Sequence, residues 1–302
     1  MNKPVFNSTL EFEYGAVAQL SPLVQRVVAP NPSPFTFYGT GTYIIGTHQV
    51  AVIDPGPNHP EHLTALRTAL KGREVTHLVI THTHLDHSPA AATLQKEFGA
   101  PTYGYGPHGA GVDSPPLAGE SVEEGADLDF DPDTPLKDGD VITGADFTLE
   151  AVYTPGHTSN HLCYSLSEEN VLFTGDHVMG WSTTVVSPPD GDMGRYISSL
   201  RRLLDRPEHT YWPTHGDGIR NPGEYIPQLL LHRKQRELEV LQCLKDGYSD
   251  IERMVEHMYQ DVPSYLHPAA ARSVLAHLIL LCQEGKAQTD GPPCVESPFS
   301  LP

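Results

Sequence analysis

The chain has 302 residues, with 38 Asp and Glu against 19 Lys and Arg, and a formal charge of -19. That length suits one large domain, or one with a smaller companion, and the charge opposes non-specific polyphosphate binding, which needs clustered Lys and Arg. Hydrophobic content of 38% and charged content of 19% suit a soluble protein. No apolar run approaches a membrane span of ~18 residues. The opening Met1-Asn2-Lys3-Pro4 lacks the apolar core of a signal peptide, so a cytoplasmic location is the expectation.

Residues 1–34 are broken by Pro22, Pro30, Pro32 and Pro34, and no regular element is expected there. Residues 42–45 and 50–54 read as a hairpin whose second strand runs into Asp54-Pro55-Gly56-Pro57. A helix is predicted over 60–70, with Leu63, Leu66 and Leu70 on one face. The apolar run 76–80 reads as a buried strand and delivers Thr81-His82-Thr83-His84-Leu85-Asp86-His87, followed by a helix over 88–98. Residues 105–146 form an acidic excursion: Asp113 to Asp146 hold eleven acidic residues and one basic, Lys137. They read as a solvated surface loop, or as a gate over the site.

Strands follow at 147–153, 161–166 and 171–174. The first leads to Thr154-Pro155-Gly156-His157-Thr158 and the last to Gly175-Asp176-His177. Residues 181–194 are a Gly/Pro/Ser-rich loop, 196–204 a short helix, and 210–213 a strand leading to Thr214-His215-Gly216. After Gly223 the composition changes. A long helix over 225–245, a second around Ile251 to Tyr259, a third around Val274 to Cys282 and a turn at Gly285 make a winged-helix-like pattern. The expected division is a catalytic domain over 1–222 and a winged-helix-like α domain over 223–302.

Metal-capable side chains therefore stand at five strand-to-loop junctions: Asp54, the block from His82 to His87, His157, Asp176 and His215. Imidazole and carboxylate form the ligand set of zinc and related divalent ions, and small neighbouring residues let the backbone turn tightly beside an ion. Two ions need roughly seven protein ligands. His82, His84 and His157 are assigned to one ion, and Asp86, His87 and His215 to the other, with Asp176 between them. Such a site makes hydroxide available near neutral pH and polarises the oxygen under attack. Asp86 and Asp54 are the catalytic candidates, Asp54 by orienting a ligand or accepting a proton. His161 and His177 read as supports behind the ligands, and His48, His59, His62, His108 and His257 receive no role. Cys163, Cys243, Cys282 and Cys294 form no CxxC pair and read as small buried hydrophobes.

These junctions resemble the metallo-β-lactamase superfamily, in particular its binuclear hydrolases. The opening Asn31-Pro32-Ser33-Pro34-Phe35-Thr36-Phe37-Tyr38-Gly39-Thr40 and the tail from His232-Arg233-Lys234-Gln235-Arg236 to Glu284-Gly285-Lys286 resemble the β-lactamase-like protein 2 family. The resemblance implies an α/β fold, an αβ/βα sandwich of two packed sheets with outer helices, and a winged helix behind it. It implies two zinc ions, with iron or manganese as substitutes. Zinc β-lactamases of the best-known kind carry Cys where Asp176 stands, so an ester, thioester or related small substrate is expected in place of an antibiotic. Animal members of the β-lactamase-like protein 2 family are single-strand endoribonucleases, which makes RNA cleavage the first alternative. A mononuclear iron persulfide dioxygenase is the second, and a non-catalytic DNA-binding regulator a remote third. Charge weighs against nucleic acid, because His232 to Asp290 hold seven Lys and Arg against nine Asp and Glu, and Arg272 is the one basic residue of the third tail helix. The tail then reads as a packing element, a homodimer contact or a wall of the substrate cleft.

Overall fold

The computed structural model describes residues 4–112 and 125–302. Thirteen strands and six helices are placed: β1 (Val17–Gln19), β2 (Val24–Val28), β3 (Gly41–Ile45), β4 (Gln49–Ile53), α1 (Pro60–Ala69), β5 (Glu74–Val79), α2 (Ala90–Phe98), β6 (Thr102–Gly104), β7 (Thr134–Pro135), β8 (Val141–Thr143), β9 (Thr148–Tyr153), β10 (Leu162–Leu166), β11 (Val171–Gly175), α3 (Met193–Leu203), β12 (Thr210–Pro213), β13 (Ile219–Arg220), α4 (Pro222–Lys245), α5 (Ile251–Met258) and α6 (His267–Gln283).

The strands form two sheets. The first runs β1-β2-β3-β4-β5-β6-β7, and the second β13-β12-β11-β10-β9-β8. Both are mixed: β4–β5, β5–β6, β6–β7 and β11–β12 are parallel, and each of these pairs needs a crossover. The β4–β5, β5–β6 and β11–β12 crossovers carry α1, α2 and α3, and β3, β10 and β11 are buried along their whole length. Buried on both faces, such strands read as continuous apolar runs. Between the sheets, Tyr43, Ile45 and Ile53 meet Leu149, Leu162, Tyr164 and Phe173. Outside the first sheet, Val50 and Val52 pack with Leu63 and Leu66 of α1 and Leu94 of α2. Outside the second, Cys163 and Leu172 pack with Tyr196 and Leu200 of α3 and with Ile226 and Leu229 of α4. The layers are therefore α/β/β/α, the expected sandwich.

Two expectations need correction. Residues 1–34 are not without regular structure: β2 lies between β1 and β3, and Arg26 from it is buried and donates to the Gly216 carbonyl at 3.1 Å. Its flanking prolines, Pro22 and Pro30, lie outside the ladder, where proline is tolerated. Residues 105–146 are more than a solvated loop. Strands β7 and β8 from this stretch extend one sheet each, and Phe130, Leu136 and Ile142 are buried. Part of the excursion, residues 113–124, falls outside the described residues.

Behind the second sheet, α4, α5 and α6 build their own core from Val240, Cys243, Met254, Val274, Leu278 and Leu281. The tail returns to it through the bridge Gln288↔Ser300. The segment Ser264–Gln283 is, against expectation, long and apolar enough by length and composition to cross a membrane. Its apolar side chains are used in packing, with Val274, Leu275, Ala276, Leu278 and Leu281 all buried. Of the cysteines, Cys163 and Cys243 are buried as expected, whereas Cys294 is exposed.

Candidate metal centre

All seven predicted ligands come together at one edge of the sandwich, where loops leave both sheets. Three overlapping groups of donor atoms lie within 4.8 Å of one another: His82, His84 and His157; Asp86, His87 and His215; and His82, His87 and Asp176. In the first group His84 Nδ1 lies 2.9 Å from His82 Nε2 and 3.2 Å from His157 Nε2. In the second, Asp86 Oδ2 lies 3.1 Å from His215 Nε2 and 3.4 Å from His87 Nε2. Asp176 stands between them, with Oδ1 at 3.4 Å from His215 Nε2 and 3.6 Å from His87 Nε2, and Oδ2 at 3.8 Å from His157 Nε2.

The backbone makes this convergence possible. Gly175 sits at φ 51°, and a Cβ there would lie 2.6 Å from His161 Nε2 and 2.8 Å from Thr81 Oγ1. Only a residue without a side chain lets β11 bring Asp176 against the His82 loop. The two sheets are also tied beside the cluster, through Leu162 N to the Thr81 carbonyl at 2.8 Å and Tyr43 Oη to the Pro213 carbonyl at 2.6 Å.

Each of four imidazoles has its remote nitrogen engaged. His82 Nδ1 lies 3.0 Å from Thr81 Oγ1, His87 Nδ1 2.9 Å from Asp54 Oδ2, His157 Nδ1 2.6 Å from the Val185 carbonyl and His215 Nδ1 3.2 Å from the Gly39 carbonyl. A ring that donates from Nδ1 turns its Nε2 lone pair towards the cluster, which is the tautomer that metal ligation needs. Asp54 anchors much of this. Its Oδ1 accepts from Thr81 N, and its Oδ2 accepts from Thr81 Oγ1 and Thr214 Oγ1, each at 2.8 Å, besides His87. It is fully buried, with φ 47°, a left-handed conformation that costs energy outside glycine. Its carboxylate accepts four hydrogen bonds and is closed off from solvent.

Electrostatics divides the cluster. Burial, reinforced by His87, His84 and His157, pushes His82 well below the usual imidazole range, leaving it neutral with a lone pair to offer. Burial alone would raise Asp86 and Asp176, yet His87 and His215 outweigh it and hold both carboxyls well below the carboxylate range. Burial would likewise depress His215, but Asp176 and Asp86 drive it up to about 10. A buried carboxylate and a partly buried one thus demand positive charge beside them, and a divalent ion would supply it with the imidazoles neutral. His87 Nε2 and Asp176 Oδ1 are buried and make no hydrogen bond within the protein, as atoms kept for an ion would. The donor set is of the kind that could hold divalent metal.

Several contributors were not singled out from the sequence. Thr81 and Thr214, each preceding a ligand histidine, bond to Asp54; the repeated Thr-His pair was the available signal. His108, given no role, lies on the site wall, with Nδ1 at 3.1 Å from Thr83 Oγ1 and its ring 6.4 Å from that of His84. The acidic excursion also returns here, since Ala126 bridges to His84 and Asp127 accepts from Ser88 Oγ. His161 stacks under His82 at 5.1 Å, and His177 is buried between His161 and Tyr196. Leu85, between two ligands, is 48% exposed at the opening.

Comparison with known proteins bears on the family and the fold. Residues 36–215 match the family described as Metallo-beta-lactamase superfamily, and residues 251–292 the Beta-lactamase associated winged helix domain. A Beta-lactamase-like protein 2 homolog from Caenorhabditis elegans is 30% identical over 275 residues, covering 89% of this chain and 87% of its own. An atrochrysone carboxyl ACP thioesterase from Paecilomyces divaricatus is 31% identical over 254 residues, covering 83% and 74%. Among solved structures, a metallo-beta-lactamase family protein from Thermus thermophilus superposes with a TM-score of 0.76 at 23% identity, covering 94% of this chain and 100% of that one. The structural likeness bears on the fold alone.

Proposed function

This chain belongs to the metallo-beta-lactamase superfamily and carries its associated winged helix domain, and from that footing we propose that it is a binuclear zinc hydrolase of a small ester or thioester. The observation that carries the reading is Asp176, whose two carboxylate oxygens face different histidine groups, Oδ1 towards His87 and His215 and Oδ2 towards His157. A carboxylate so disposed suits a ligand shared by two ions. His82, His84 and His157 would hold one ion, and Asp86, His87 and His215 the other. Two ions in such a set supply Lewis acidity towards a carbonyl oxygen and a water of lowered pKa.

The protein's own part is orientation. Thr81, Asp54, Val185 and Gly39 fix the ring planes of four histidines by engaging their Nδ1 atoms. Sites pre-set in this way lose little to reorganisation. Asp86, with a quarter of its side chain exposed, is the ligand that reaches the opening and can take a proton from an attacking water. The thioesterase name of a relative supports a thioester substrate. The overall charge of -19 supports a small molecule over RNA.

The test is metal analysis of the purified protein combined with hydrolysis of acyl thioesters and aryl esters. Two zinc ions per chain, with activity that Asp176→Ala removes, is the expected result. One iron per chain with oxygen consumption, or cleavage of single-stranded RNA without ester hydrolysis, would overturn the reading.

A further inference from the structure

Arg233 lies on α4, in the helical region behind the second sheet, yet its side chain leaves that region. It is 3% exposed, and its Nη2 donates to the carbonyl of Thr184 in the loop that follows β11. Its guanidinium covers the ring of Tyr196 on α3 at 4.9 Å. Glu237, one turn along α4, pairs with Lys234 at 2.7 Å and Lys286 at 3.6 Å. A buried guanidinium is costly, and for stability alone an apolar side chain of similar volume serves as well or better. The arginine therefore calls for an account beyond packing.

Both of its contacts lead to metal ligands. Thr184 Oγ1 donates to the carbonyls of Asp176 and His177, at 2.7 and 3.0 Å. The next residue, Val185, accepts from His157 Nδ1 at 2.6 Å. On the other side, Tyr196 supports the turn that carries His157, since a Cβ on Gly156 would lie 2.3 Å from Tyr196 Cα. The same turn accepts from Asp192 N, at the start of α3, through the Gly156 carbonyl at 2.9 Å. His157 is thus gripped between the Thr184–Val185 segment and the head of α3, and Arg233 touches both.

We infer that Arg233 is a positioning residue for the metal centre: it locks the Thr184–Val185 segment so that the Val185 carbonyl fixes the tautomer and plane of His157. The inference rests on the metal-centre reading above. It gives the C-terminal helices a part in the chemistry without contact to substrate, because they carry the brace for one ligand of the His82, His84, His157 group. Hydrogen bonds that orient metal-bound histidines are typically worth 10–100-fold in metal affinity.

The experiment uses the full chain with Arg233→Met, Arg233→Lys, His157→Ala and the double variant Arg233→Met/His157→Ala. Zinc affinity is read by chelator competition over two equivalents, the ligand field by Co2+ absorption, and folding by thermal unfolding of the metal-free protein. Arg233→Met is expected to weaken one equivalent about tenfold, the one that His157→Ala abolishes, and to shift the Co2+ bands. Arg233→Lys recovers part of the loss. The double variant binds no more weakly than His157→Ala, because coupled residues are not additive. If Arg233→Met lowers the unfolding temperature but leaves both zinc affinities and the Co2+ spectrum unchanged, Arg233 is a packing residue and the inference fails. Should Arg233→Met not fold, Arg233→Lys decides on the same readouts. Wild-type protein that takes up no zinc would defeat the metal reading itself, and this inference with it; two tight equivalents unaffected by Arg233 would defeat the inference alone.

Discussion

Asp54→Asn is the sharpest test of the ligand-orienting network, because it changes one atom's chemistry and little volume. Three donors converge on Oδ2: Thr81 Oγ1 and Thr214 Oγ1 at 2.8 Å and His87 Nδ1 at 2.9 Å. With Asn, the amide nitrogen cannot sit there, facing three donors, unless they adapt. The threonine hydroxyls can rotate and accept. His87 can adapt only by moving its proton to Nε2, the atom that faces Asp86 and Asp176. The alternative flip places the amide nitrogen against Thr81 N, which Oδ1 now satisfies at 2.8 Å. A lost hydrogen bond to a charged group costs about 1.5–3 kcal/mol, and about 1.4 kcal/mol is tenfold in an equilibrium constant. Zinc in the Asp86, His87, His215 group then lacks the acceptor that holds the proton on His87 Nδ1 and leaves Nε2 to the ion, and its affinity should fall ~10–100-fold. The other equivalent should change less, since His82 keeps Thr81 as its partner. Chelator competition resolves the two equivalents, and denaturant unfolding of the metal-free variant should show a loss of about 1–3 kcal/mol. Both zinc equivalents bound as tightly as in wild type would refute the orienting role of Asp54.

Asp176→Ala should reduce bound zinc from two equivalents towards one and lower kcat by more than about a hundredfold, a loss typical of removing one electrostatic contributor to the transition state; metal analysis and steady-state kinetics check both. Zinc should stabilise the fold by about 2.7 kcal/mol per site at a free ion concentration of about 100 Kd, measured as the rise in unfolding free energy when zinc is returned to chelated protein. Acid should destabilise the protein from about pH 6.5 downwards through buried neutral histidines. Burial lowers His62 to about 4 and His277 to about 3. Between these values and an unfolded pKa of about 6.5 the unfolded chain binds protons that these two native histidines refuse, so their contribution to stability is level above that range and falls as pH drops through it. Each group costs about 1.4 kcal/mol per pH unit until its folded pKa is reached. His277→Leu, which keeps the core apolar, should flatten its share of the slope; an unchanged pH profile would remove His277 from the account.

The ligands were legible because each is a polar residue breaking an apolar strand at a turn, a local signal. Their supports were less so. Val185 and Gly39 act through backbone carbonyls, and any residue type presents that acceptor. Arg233 reaches a carbonyl 49 residues away, so nothing near it in the chain hints at its partner. His108 looked like a turn residue because its neighbours are Gly and Pro; only the packing of its loop against Thr83 gives it a place at the site. Strand β2 was missed for a related reason. Its prolines bound the strand and do not interrupt it, and the alternation of Val24, Arg26 and Val28 was masked by Arg26 facing inward. The acidic residues around Asp129, Asp131 and Asp133 concealed Phe130, Leu136 and Ile142, which are buried in the core.

The ligands are drawn unequally from the two sheets, and this bears on how metal and fold depend on each other. His82, His84, Asp86 and His87 leave the first sheet after β5, whereas His157, Asp176 and His215 leave the second after β9, β11 and β12. Both proposed ions therefore bridge the sheets: His157 joins the first group and His215 the second. Yet the sheets do not depend on an ion to meet. Tyr164 Oη donates to the Ile80 carbonyl at 2.7 Å, Tyr43 Oη to the Pro213 carbonyl at 2.6 Å and Arg26 to the Gly216 carbonyl at 3.1 Å, all beside the cluster. Asp54, from the first sheet, is bonded to Thr214 from the second. What an ion adds is neutralisation of Asp86 and Asp176, which otherwise depend on protonated His87 and His215. Metal removal should then leave the sheets docked while the cluster takes up protons, so that chelation lowers stability without dismantling the site, and returning metal needs only proton release from rings already held in place.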